Sequence, residues 1–72
     1  MSGVELKEFS LLYLILNNLS LFQANIHLIE NIKLFTEINK QIFTSTIERL
    51  KSGEQIIIED LNLDKQLLDK IN

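Results

Sequence analysis

The sequence contains no cysteine, no proline and no tryptophan, and only two glycines, one histidine, one arginine and one tyrosine. Without cysteine, neither a disulfide nor a thiolate metal site can staple the fold. Without proline, and with so few glycines, no stretch has the composition of a flexible linker between domains. The single arginine argues against base-edge recognition of nucleic acid, and the net charge of −3 argues against a phosphate-binding surface. A long hydrophobic run is also missing. The longest, Leu11 to Leu16, is far shorter than the roughly 20 residues that a membrane span requires. The residues before it, Glu5, Lys7 and Glu8, lack the basic character of a signal peptide, so a soluble, cytoplasmic domain is expected.

What the chain does have is aliphatic bulk. Fourteen leucines and eleven isoleucines sit in 72 residues, of which 46% are hydrophobic. A chain of this length makes one domain, near the lower limit for folding on its own core. Its apolar supply exceeds what so small a core can hide, and surplus apolar surface marks a partner site. Met1-Ser2-Gly3 reads as a candidate expression scar, leaving 4–72 as a single helical domain expected to be a piece of a longer protein.

Taken in order, the periodicities predict an all-α bundle of four helices, at about 4–19, 21–31, 37–52 and 61–71. In the first, Leu6, Phe9, Leu12, Tyr13, Leu16 and Leu19 recur at steps of three and four. Leu11, Leu14 and Ile15 extend the apolar surface beyond that face and are the candidate partner-binding residues, facing a partner helix or a second copy. Asn17 to Ser20 breaks the helix, and Ser20 or Asn18 is the expected cap of the second. There Phe22, Ile26 and Ile29 form a stripe widened by Leu21, Leu28 and Ile32, and the helix is expected to end between Glu30 and Lys33, the alternative being a short buried connection through Leu34-Phe35.

The third helix carries the clearest signals. Thr36 is its N-cap, Glu37 suits the positive end of the helix dipole, and Arg49 and Lys51 suit the negative end. Ile38, Ile42, Phe43, Ile47 and Leu50 make a dry side, while Asn39, Lys40, Gln41, Ser45, Glu48 and Arg49 make a wet one. Gly53 is placed to stop the helix in the left-handed conformation. The three consecutive isoleucines 56–58 favour a strand but have none to pair with. Residues 54–59 are therefore an extended connection that sends one or two Ile side chains into the core. Asp60 or Asn62 then caps the last helix, with Leu63, Leu67, Leu68 and Ile71 inward.

Candidate chemistry is sparse. His27 and Glu30 stand at ligand spacing on a helix, but a metal site needs three or four ligands, so no metal is expected. Asp60, Asn62 and Asp64 match the first half of a calcium loop, which then fails at Lys65 and Ile71. Lys33, Lys40 and Lys51 each follow a glutamate by three residues, which suits local pairing rather than a nucleic-acid stripe. No nucleophile with an orienting group stands out, so neither a catalytic residue nor a cofactor is expected.

Two stretches resemble a known family. Phe9-Ser10-Leu11-Leu12-Tyr13-Leu14-Ile15-Leu16-Asn17-Asn18 resembles the opening of the C-terminal helicase-interaction domain of bacterial DNA primases. That opening runs into a segment like L-I-N-H-P-S-L, with Leu19 here where proline is common. Ile32 to Ile38 resembles the following L-x-F-S-x-P-E-L, and the likeness continues from Ile42-Phe43 to Glu54. The third-helix stretch also resembles the N-terminal domain of the replicative helicase, whose I-F-x-x-I-x-x-L-x-x-x-G-E-x-I-D pattern is matched with a shorter step from Leu50 to Gly53. The break at Asn17-Asn18 favours primase.

The resemblance implies a non-catalytic module that binds or regulates the replicative helicase in the primosome during DNA replication. Primer synthesis would lie in a separate domain of the parent primase. The family's interaction region usually continues into a further helical hairpin, so no contact residue is transferred. The alternatives are the helicase N-terminal domain itself, or a structural oligomerisation module of unrelated function that self-associates.

Overall fold

Two long helices, α1 (Gly3–Leu16) and α3 (Glu37–Ser52), pack on each other in the computed structural model, which describes residues 3–71. Two short helices complete the set, α2 (Leu19–Ala24), which packs on both long helices, and α4 (Lys65–Ile71), which packs on α1. The architecture is all-α, as expected, with no strand among the described residues. Met1 and Ser2 of the candidate scar lie outside those residues, and Gly3 already belongs to α1.

The core forms where one face of α1 meets α3. Leu12, Ile15 and Leu16 from α1 join Phe43, Ile47 and Leu50 from α3, and Ile29 and Leu34 close the cluster from the connecting segment. Phe9 is also buried, as is Leu67, the buried residue of α4. Burial of large aliphatic and aromatic side chains contributes about 1.5–3 kcal/mol each. The helix contact is therefore the main source of stability.

Helix boundaries follow asparagine chemistry more than periodicity. Asn17 and Asn18 each donate a side-chain N–H back to the carbonyl four residues earlier, Tyr13 and Leu14, at 2.8 Å. Tyr13 also accepts the Asn17 backbone N–H while the Asn18 N–H turns to the Ile15 carbonyl, so the side-chain bonds reinforce the end of α1, at Leu16 rather than at 19. Asn25 does the same to Leu21, at 2.8 Å. Consequently the second helix is not the expected 21–31. It covers Leu19–Ala24, and a 3-10 turn at Ile26–Leu28 follows. Asn18 occupies the N-cap position of α2, but its side chain, already engaged on Leu14, makes no cap bond there.

Helix α3 matches its predicted bounds, and Thr36 is its N-cap residue, but the Thr36 side chain does not cap. The carboxylate of Glu8, on α1, instead holds the two residues that lead into the helix. Its two oxygens accept the backbone N–H groups of Phe35 and Thr36, the latter at 2.9 Å. Burial alone would push the Glu8 carboxyl up, but hydrogen bonds from Phe35, Thr36 and the Asn39 side chain outweigh burial and hold it below its ordinary value of 4.5. Asn39, expected on the wet face, is buried and donates to the Glu5 carbonyl at 3.1 Å. Ile38, expected on the dry face, is 62% exposed. The first turn of α3 thus presents a polar residue to α1, because the contact there is a hydrogen-bond network.

At the other end Gly53 has φ 77° and its N–H bonds to the Arg49 carbonyl, the expected left-handed stop. Beyond it, Ile56 and Ile58 pack on the core while Ile57 faces outward. The last helix starts later than expected. Ile58–Leu61 is a 3-10 turn, and Asn62 adopts a left-handed conformation that no helix can continue through. Asp64, rather than Asp60 or Asn62, caps α4 by accepting the N–H groups of Gln66 and Leu67 at 2.7 and 3.3 Å.

Two stability changes follow. Glu8→Gln keeps one acceptor oxygen but turns an amide group towards a backbone donor, and should cost about 1–3 kcal/mol in denaturant unfolding. Because the folded carboxyl titrates below its unfolded value, ionised Glu8 contributes fully above pH 4.5. That contribution is lost as the pH falls from 4.5 through the lower folded value. The stability gap between wild type and Glu8→Gln should therefore narrow on acidification below pH 4.5; a gap that stays constant with pH would contradict this. At Gly53 an added Cβ meets open space, so Gly53→Val should lose about 1–2 kcal/mol through backbone strain alone. An unchanged melting temperature would refute the stop.

Candidate partner-binding surface

The segment that enters α3 is extended, and successive side chains on it point to opposite sides. Leu34 faces inward and is buried, whereas Phe35 is 84% exposed. Of the alternative buried connection through Leu34-Phe35, only Leu34 is buried. Ile38, one turn on, is exposed beside it in sequence, so an aromatic and a branched aliphatic side chain both stand in solvent at the start of α3. So exposed a phenylalanine brings a large apolar surface into solvent.

What makes this a surface rather than a loose loop is the backbone beneath it. Glu8 holds the N–H groups of Phe35 and Thr36, and Asn39 ties the first turn of α3 to Glu5. Both side chains that flank the patch on the inside, Leu34 and Asn39, are buried. Phe35 and Ile38 are thus carried on a fixed frame, which lowers the ordering cost of any contact they make. A cleft of about 80 Å³ opens beside Ile38, lined by Glu5, Thr36, Asn39, Asp64 and Leu67.

The three residues chosen from the sequence, neighbours on α1, differ in exposure. Ile15 is 0% exposed and belongs to the core, so it offers nothing to a partner in the folded monomer. Leu11 is half-buried and packs against the core. Leu14 is exposed and walls an open groove of about 400 Å³ with Ser10, Tyr13 and Ile71. Leu21 and Leu28, expected to widen an inward stripe, are also exposed, Leu21 on α2 and Leu28 on the 3-10 turn that follows it. Phe35 and Ile38 escaped the sequence reading. Period-two alternation across Leu34-Phe35 was the one signal that could have turned Phe35 outward.

The polar candidates resolve into structural roles. Glu30 forms an ion pair with Lys51 at 3.1 Å, tying the segment after α2 to the end of α3, in place of the expected Glu48–Lys51 and Glu30–Lys33 pairs. Glu37 accepts from Gln41 instead of pairing with Lys40. His27 is exposed on the 3-10 turn. Among the described residues no three His, Cys, Asp or Glu side chains are grouped to hold a metal. No helix there is long and apolar enough to cross a membrane. Compared with protein-family models, curated proteins and solved structures, the chain has no significant match.

Proposed function

We propose that this chain is a non-catalytic protein–protein interaction module, and that the start of α3 is its contact surface. The observation that carries the reading is Phe35, 84% exposed on a backbone pinned by Glu8. Neighbouring Ile38, 62% exposed, extends the apolar surface. Apolar anchors of this kind, presented from a rigid frame, account for most of the affinity of small interfaces.

The partner class comes from the resemblance to the helicase-interaction domain of bacterial primases. Residues 32–38, which carry part of that resemblance, are the segment that displays Phe35 and Ile38. On this reading the chain binds or regulates the replicative helicase at the replication fork. The alternative, an N-terminal domain of the helicase, draws on the likeness of residues 42–56, which in this fold are the body of α3, its glycine stop and the exit towards the core.

Titration of the isotopically labelled chain with the N-terminal domain of a bacterial replicative helicase tests the proposal. Amide shifts should concentrate between Phe35 and Asn39. Phe35→Ser should weaken binding about ten- to a hundredfold, the equivalent of removing one buried aromatic anchor. It should leave the melting temperature unchanged, since the side chain is exposed. No shift at several times the protein concentration would refute direct binding.

A further inference from the structure

The cleft beside Ile38 has a chemical bias of its own. Three elements meet there: α1 supplies Glu5, the start of α3 supplies Thr36, Ile38 and Asn39, and the start of α4 supplies Asp64 and Leu67. Asn39 and Leu67 are buried and make its floor. Glu5 is half-buried, and Ile38 and Asp64 are exposed at its rim.

The hydrogen-bond donors around the cleft are spent inside the protein. The Thr36 hydroxyl and the Asn39 amide serve the Glu8 carboxylate, and Asn39 also donates to the Glu5 carbonyl at 3.1 Å. At the start of α4 the N–H groups of Gln66 and Leu67 donate to Asp64, at 2.7 and 3.3 Å. Acceptors remain. Both Asp64 bonds fall on Oδ1, which leaves Oδ2 open, and the Glu5 carboxylate brings a second negative charge from the facing helix. Among the described residues, none that lines the cleft is basic. Such a lining suits a cationic donor and offers nothing to an anion.

Size and apolar character narrow the occupant further. The cleft holds about 80 Å³, far below the roughly 300–1,000 Å³ of a small-molecule pocket, so it takes the end of one side chain. Lysine and arginine carry a charged head on an aliphatic stem, which matches carboxylates set beside Ile38. Ile38 also belongs to the surface that displays Phe35, so a partner covering that surface reaches the cleft.

We infer that the cleft receives one lysine or arginine side chain of the partner that covers Phe35, with its stem against Ile38 and its charged head at Glu5 and Asp64. The inference rests on the start of α3 being a contact surface, and it specifies the partner as one that presents a basic residue beside an apolar one. The net charge of −3 favours the approach of such a partner.

Acetyl-leucyl-argininamide, a blocked dipeptide that joins an apolar side chain to a cation, tests this against the whole isotopically labelled chain. Amide shifts should concentrate at Ile38, Asn39, Gln66 and Leu67, with a Kd of about 1–10 mM. The same dipeptide with neutral citrulline in place of arginine should bind about two- to fivefold more weakly. The arginine probe should lose about as much on a Glu5→Gln, Asp64→Asn double variant. Asparagine caps a helix as well as aspartate, so that variant should keep its melting temperature. No localised shift up to about 50 mM would overturn the inference. So would equal affinity for the two probes, or undiminished binding to the double variant. Because the probe is not a helicase domain, a failed helicase titration removes only the partner class, whereas a failed probe removes the basic-residue site.

Discussion

A carboxylate buried between two helices is the constraint on which the rest of this fold depends. Glu8 sits on the core side of α1 and reaches the two backbone N–H groups that precede α3. A buried charge without partners would be costly, but here the helix entrance supplies donors and the positive end of the dipole. The same bonds set where α3 begins and how it is rotated. With the N–H groups of Phe35 and Thr36 fixed towards α1, Asn39 turns inward to the Glu5 carbonyl and Ile38 turns out. The apolar surface at the start of α3 is a consequence of that polar network.

Such a network is hard to read from a linear sequence. Glu8 stands among apolar residues in a helix, and its partners lie 27 and 28 residues away. The body of α3 and its glycine stop were legible, since Thr36, Gly53 and the spacing of Phe43, Ile47 and Leu50 act locally. The all-α class and the packing role of Phe9, Leu12 and Leu16 were legible for the same reason. The second helix was not. Its apolar spacing continues to Ile29, but Asn25 breaks the backbone in between with a side-chain bond that periodicity ignores. Asp64 was overlooked as a cap because Asp60 and Asn62 offered the same chemistry earlier, and only the left-handed turn at Asn62 separates them.

The surplus of leucine and isoleucine was read correctly as more than the core needs, but its distribution was not. Ile15 went into the core, and the excess emerged at two separate places, the start of α3 and the outer side of α1. A helix as apolar as α1 can serve both purposes at once. One face packs on α3 and holds Glu8 in place, and the other keeps Leu14 in solvent.

Amide hydrogen exchange at Phe35 and Thr36 tests the central claim most directly. Neither N–H belongs to a helical ladder, so only the Glu8 carboxylate can protect them. Both should exchange as slowly as amides in the middle of α3 and lose that protection in Glu8→Gln while the α3 interior keeps its own. Exchange of both amides at the rate of an unstructured chain in the wild-type protein would contradict it.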